Sequence, residues 1–323
     1  MKTIWTRVLL LLTLTFSASM AMAQLPNEKF GKPSSMEWDF VGWGDAVGAD
    51  AIILYKSMTA TYQLTDQVSN NTQSSDFGID NLQDFGKNQI DEGSILVNYQ
   101  FKLRTKILKP EGAKHANIDI TYYNLNDDKF ISADELSDLK IKVFSKNEKG
   151  KVVKRSINTS NFVKERVDDN YMVLHVEVPD VEAGSIIEYQ YNITSTRAAF
   201  LYDWVFQESI PTVRSMFDLD VPAFLQFNMN VPINKLIKPS VTAGHLNYDT
   251  NRQDLKRGKS CPTNHYVVVG DYILPEGHPM KRNADGQGDE KAEKIAVFTS
   301  LITTPNVTHP AAMPEGCTHL RIK

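Results

Sequence analysis

The sequence predicts an all-β protein, an antiparallel two-layer β-sandwich with a small irregular C-terminal appendage. Three observations carry this. Apolar and polar residues alternate with a period of two in many short segments, turn-forming residues separate those segments, and amphipathic helices do not alternate with them as βαβ units require. Strands with one apolar and one polar face also argue against a parallel sheet buried on both sides.

Residues 1–23 read as a secretory signal peptide. Lys2 and Arg7 form its positive start, Val8–Phe16 its apolar core, and Ala21-Met22-Ala23 a small-x-small cleavage site before Gln24. That core is shorter than the roughly 20 residues needed to span a bilayer. No later segment is apolar enough to span either, and no cysteine stands directly after the site to carry a lipid. The expected location is periplasmic or secreted. Cleavage removes two of the 35 basic residues and none of the 39 acidic ones, which leaves a net charge of −6. Such a balance argues against nucleic acid or an anionic membrane surface as partner.

Residues 24–49 are rich in Pro, Gly, Ser and aromatics without a period, and read as an extended lead-in. The β-sandwich domain is expected over residues 50–235. Asp50–Leu64 suggests a first strand pair, and the polar Gln67–Gly93 a long surface loop. Ile95, Val97, Tyr99, Phe101 and Leu103 then point one way, with Asn98, Gln100, Lys102 and Arg104 toward water. Pro110-Glu111-Gly112 breaks this run and Asn117–Tyr122 resumes it. Leu139, Ile141 and Val143 lead through the turn Asn147–Gly150 into Lys151–Ile157, a hairpin signature.

Met172, Leu174, Val176 and Val178 form the next inward row. Ile187, Tyr189, Tyr191 and Ile193 alternate with the outward Glu188, Gln190 and Asn192. Phe217, Leu219 and Val221 form another row, and Leu225, Phe227, Met229 and Val231 a last one. Residues 236–323 read as an irregular tail or truncated second unit, with a strand at Tyr266–Ile273 and a short helix at Asp289–Phe298.

Candidate chemistry is sparse. Cys261 lies near His265 and His278, and Cys317 near His319, but neither cysteine sits at a helix N-terminus that would favour a thiolate. The two are a candidate disulfide in an oxidising compartment, worth roughly 4 kcal/mol in the chain-entropy model, or else two unpaired thiols. Asn124–Glu135 spaces oxygen donors like a calcium loop, yet Lys129 stands where glycine permits the sharp turn. A solvated acidic loop is expected there. His115, His175 and His245 lack metal-ligand spacing, and no G-x-S-x-G elbow occurs. No catalytic residue, cofactor or metal is expected. Trp38, Trp43 and Trp204, with Tyr202 and Phe206, could form an exposed aromatic platform, although core or interface packing is the more common use of such residues.

Several motifs occur in a telling order. Asp50-Ala51-Ile52-Ile53-Leu54-Tyr55 is followed by Arg104-Thr105-Lys106-Ile107-Leu108-Lys109 with Pro110-Glu111-Gly112. Gly184-Ser185-Ile186-Ile187-Glu188-Tyr189-Gln190-Tyr191 comes next, then Asp203-Trp204-Val205-Phe206-Gln207 and Ile210-Pro211. Across residues 45–235 this resembles the N-terminal β-sandwich domain of unknown function that precedes transglutaminase-like domains in exported bacterial proteins. The resemblance implies a non-catalytic accessory or interaction module, because the Cys-His-Asp triad of such proteins belongs to the following domain. Its implied partner is a transglutaminase-like domain or another envelope protein, met at a surface around Tyr202, Asp203 and Trp204. Two alternatives stay open: a truncated transglutaminase-like or peptidase-type enzyme lacking its catalytic domain, and a carbohydrate-binding module. A glycan or a peptide is accordingly a candidate ligand.

Overall fold

The computed structural model describes residues 28–65, 94–124, 134–159, 162–198, 200–223, 225, 228–229, 237–249, 260–278 and 300–301. The expected loop over 67–93, the helix candidate at 289–298 and Cys317 lie outside them. Most described residues are in strands, and the protein is all-β. Among the described residues no helix is long and apolar enough to cross a membrane.

The strands in chain order are β1 (Ala51–Thr65), β2 (Ser94–Ile107), β3 (Ile118–Tyr123), β4 (Glu135–Lys146), β5 (Val152–Ser156), β6 (Val163–Arg166) and β7 (Tyr171–Val176). They continue with β8 (Ile186–Ser195), β9 (Thr212–Pro222), β10 (Asn228–Met229), β11 (Ile237–Asp249), β12 (Ser260–Ile273) and β13 (Ser300–Leu301). Eight of them form one sheet in the order β11-β12-β9-β1-β2-β8-β4-β5. A three-stranded sheet, β3-β7-β6, packs on one of its faces. There Ile118, Ile120, Leu174 and Val176 meet Ile53, Ile107, Ile141, Val143 and Ile187. Farther along the same large sheet Met58, Tyr62, Tyr99, Ile193, Phe217 and Leu219 are covered by Trp204 and Phe206. The inward rows expected at β2, β7, β8 and β9 supply Tyr99, Leu174, Val176, Ile187, Ile193, Phe217 and Leu219 among these residues.

Several features differ from the expectation. Asp50–Leu64 is not a strand pair: β1 is one strand of 15 residues, antiparallel to β2 from Ala51↔Ile107 to Thr65↔Ser94, with a bulge between Ile53 and Tyr55. Its apolar and hydroxylated residues are mixed because the bulge shifts the inward set by one position. On its other side β1 runs parallel to β9, from Ile53↔Thr212 to Thr61↔Asp220. Alternation reports which face is wet and not strand direction, and the long intervening chain supplies the crossover a parallel pair needs.

The sheet also continues past residue 235. β11 and β12 pair from Ile237↔Gly270 to Asn247↔Ser260, and β12 lies antiparallel to β9. Over Lys238–Ala243 the polar texture is that of an edge, since all six residues are exposed; the far end of β11 turns back to pair parallel with β1 at Leu64↔Tyr248 and Thr65↔Asp249. Proline is tolerated at such an edge. The alternation over Leu225–Val231 yields, among the described residues, only the two-residue ladder of β10 with β13.

The lead-in, finally, is folded. Helix α1 (Ser35–Asp39) begins with a capping box in which the Ser34 Oγ accepts from the Glu37 N–H and Glu37 accepts from the Ser34 N–H. Trp38, Phe40 and Trp43 of this segment pack on Ile52, Leu54, Phe144 and Ile186, on the back of the large sheet.

That cover reverses the expectation for Arg104 and Glu188. Both were assigned to a wet face, yet they are 1% and 4% exposed. Arg104 and Glu188 are direct cross-strand partners in β2 and β8. The Arg104 Nη2 donates to Glu188 Oε1 at 2.5 Å and its Nη1 to Glu37 Oε1 at 2.6 Å. The Lys29 carbonyl accepts from Nη2 at 2.8 Å, and Glu188 Oε2 takes the Gly31 N–H. Two places along β2, Lys106 donates to the carbonyls of Glu37, Trp38 and Phe40, the last turn of α1 and its exit. The motif Arg104-Thr105-Lys106 therefore clamps the lead-in to the sheet. Pro110-Glu111-Gly112 starts a 3-10 turn (Pro110–Ala116) packed so closely that a β-carbon on Gly112 would lie 2.1 Å from the Asp50 carbonyl oxygen.

Removing one member of a buried ion cluster strands the others without a counter-charge. Arg104→Met is expected to cost about 3–5 kcal/mol in urea unfolding. Adding Glu37→Gln and Glu188→Gln to it should recover much of that loss.

Candidate functional site

The three-stranded sheet is narrower than the sheet it covers, and a cleft of about 570 Å³ opens beside β3. Its floor is Lys56 of β1, Phe101 and Leu103 of β2, and Tyr189 and Tyr191 of β8. One wall is Asp119 and Thr121 of β3; the other is the segment from Leu201 to Val205.

The floor is an aromatic row. Phe101 and Tyr191 stack at 4.6 Å between centroids, and Tyr191 and Tyr189 at 6.3 Å, with interplanar angles of 13° and 11°. Such rows follow from β2 and β8 being in register, since Phe101↔Tyr191 and Leu103↔Tyr189 are directly opposite. Desolvation pushes both tyrosine phenols up, so they stay neutral.

The two buried cations of the cleft are each paired with a carboxylate. Lys56, 5% exposed, pairs with Glu208, donates to the Val205 carbonyl at 2.8 Å and lies 4.4 Å over the Trp204 ring. Burial pulls its ammonium pKa down while Glu208 opposes that shift. Arg197 pairs with Asp134 at 2.8 Å and stacks 3.7 Å over the Tyr123 ring. The Tyr202 hydroxyl donates to Asp134 Oδ2 at 2.5 Å and accepts from the Tyr123 N–H at 2.9 Å. Burial and the Asp134 carboxylate raise the Tyr202 pKa, which keeps its proton on that oxygen. Tyr202 thus clasps the end of β3 to the opposite wall.

The expected interaction surface divides. Asp203 is exposed and Tyr202 half-buried, but Trp204 is 6% exposed, with its Nε1 donating to Ser215 Oγ at 3.1 Å. Phe206 is buried edge-on against it. Trp204 is therefore core, and an exposed stacking platform built on it is excluded. What the loop does expose is Phe200 and Val205. Sequence reading missed Lys56, Asp134, Arg197 and Glu208; the one visible signal was a lysine inside the apolar run of β1.

Cys261 lies in a strand opposite Leu246, which is not a nucleophile's usual setting, and its candidate disulfide partner Cys317 falls outside the described residues. The histidines near Cys261 have other partners: His265 meets Asp218 at 2.8 Å and His278 the Asp45 carbonyl at 3.0 Å. Of the calcium-loop candidate, residues 125–133 lie outside the description. Asn124 accepts from Arg166, and Asp134 is held as above. Among the described residues no group of three or more His, Cys, Asp or Glu side chains is arranged to hold a metal.

Residues 96–259 match the family model of DUF3857, a domain of unknown function with solved structure. No curated protein matches the chain. Among solved structures, a protein from Parabacteroides distasonis provisionally named a protease is similar at 13% identity and a TM-score of 0.40. The similarity covers 78% of this chain and 40% of that one, so the chain spans well under half the length of that protein.

Trp204→Ala is expected to destabilise the fold by about 3–5 kcal/mol, as for other buried aromatics. Asp203→Ala should stay within about 0.5 kcal/mol, both read by urea unfolding. A pH dependence follows from His175 on the outer face of the three-stranded sheet, where Nδ1 meets Asp119 at 2.8 Å and Nε2 meets Glu165 at 3.2 Å. The hydrogen bond to Asp119 foremost raises its pKa. Its stabilisation is full below the unfolded value of about 6.5 and is lost as pH rises through the folded value. Thermal melts of the protein should converge with those of His175→Gln above that window.

Proposed function

This chain belongs to the DUF3857 family, a domain of unknown function, and we propose that it serves as a non-catalytic docking module exported to the bacterial envelope. One observation carries the reading: the two buried cations of the cleft are each paired with a carboxylate. Lys56 is committed to Glu208 and Arg197 to Asp134, while the tyrosines are held as neutral phenols. Such groups orient and anchor; a nucleophile needs a base in contact and a lowered pKa. The wall adds exposed Val205, apolar area of the kind a partner covers. The resemblance to modules that precede transglutaminase-like domains supports a partner of that type, and the signal-like residues 1–23 support export.

The rival is an enzyme whose nucleophile is one of the two cysteines. The purified chain should release no product from a glutamine-donor peptide and a fluorescent amine above the buffer rate. Transamidation or amide hydrolysis that disappears in Cys261→Ala or Cys317→Ala would sink the non-catalytic reading.

A further inference from the structure

β3 is an edge strand, and its free side borders the cleft. The backbone directions along it can be read from its ends. The Asn124 N–H donates to the Asn170 carbonyl, so Asn124 and, two by two, Tyr122, Ile120 and Ile118 direct their main-chain groups toward β7. Tyr123 faces the other way: its N–H meets the Tyr202 hydroxyl and its carbonyl accepts from the Asp134 N–H. By the same alternation Thr121 and Asp119 direct their N–H and C=O groups to the free side. Among the described residues no backbone group pairs with them there. Both residues line the cleft.

We propose that the cleft binds an extended peptide segment of a partner protein, which pairs with Thr121 and Asp119 as an added strand. The proposal rests on the docking reading above and specifies the chemistry of the partner. An unpaired strand edge offers alternating donors and acceptors that an extended main chain satisfies and a sugar does not. Tyr202 and Asp134 close the edge at Tyr123 and set where the added strand stops. Side chains of that strand that point inward land on Phe101 and Tyr191; those that point outward reach solvent, so bound segments should alternate apolar and polar residues. The volume of about 570 Å³ lies within the range of ligand clefts. The edge faces the Leu201–Val205 segment across the cleft, and a gap between two walls suits one extended chain better than the face of a second folded copy.

The test is selection of a displayed random heptapeptide library on the full chain, followed by fluorescence anisotropy with the enriched peptides. Thr121→Pro removes an N–H that the fold does not use and is compatible with an edge strand. Binding should weaken by at least about tenfold in this variant, and equally when the peptide's alternate amides are N-methylated. Should Thr121→Pro not fold, hydrogen exchange on the unmodified chain decides, with the amides of Asp119 and Thr121 slowed by the peptide. Several results would overturn the proposal: no enrichment, enriched peptides that tolerate both changes, or a concentration-dependent dimer that occupies the same edge. Mass spectrometry of the recovered peptide separates the two readings. Cleaved peptide would defeat the non-catalytic function and leave strand pairing standing, whereas intact peptide indifferent to Thr121→Pro would do the reverse.

Discussion

Arg104 is the interaction on which the rest of the structure depends. It is among the largest fully buried side chains, and its guanidinium joins three separate parts of the chain: α1 through Glu37, β8 through Glu188 and the lead-in through the Lys29 carbonyl. A buried guanidinium is expensive unless its charge and its donors are met. Here the carboxylates are themselves satisfied, Glu37 by the Ser34 cap and Glu188 by the Gly31 N–H. The cluster therefore acts as one unit. It ties a segment with no strand of its own to the back of the sheet and gives Trp38, Phe40 and Trp43 a surface to cover.

With part of its back covered by the lead-in, the large sheet presents its other face to two different covers. The three-stranded sheet lies over one part and the 197–210 segment, with Trp204 and Phe206, over another. Neither reaches across the aromatic row of Phe101, Tyr191 and Tyr189, and the cleft is the gap between them. Tyr202 ties the gap at one end, because it belongs to one wall and its hydroxyl is bonded to Tyr123 and Asp134 at the end of β3. Shape and chemistry thus share one cause. The paired groups that hold the covers in place, Lys56 with Glu208 and Arg197 with Asp134, also border the cleft, and β3 is left as an edge facing the opening.

How much of this was legible varies by element. The inward rows at β2, β7, β8 and β9 were visible because alternation is a local property of the chain. The hairpin of β4 and β5 was visible because Asn147–Gly150 is a strong turn, and Gly150 takes a positive φ of 72° there. Arg104 and Glu188 were read as wet, since alternation tells which side a residue faces and not what covers that side. β11 was passed over because an edge strand exposed on both faces looks like loop in sequence. Trp204 was the sharpest ambiguity: packing is the more common use of such a residue, but only the placement of Ser215 and Lys56 around it fixes it as core.

By itself, then, the sequence determined the all-β class, the wet and dry sides of most strands and the family motifs. Those are local, periodic or compositional properties. Only the tertiary structure decided the parallel seam of β1 with β9, the sealing of the back face by α1, the pairing of Lys56 with Glu208 and Arg197 with Asp134, and the open edge of β3 above an aromatic floor. Each joins residues far apart in the chain. Their energies come from desolvation and charge pairing at close range, which exist only once the strands have been set side by side.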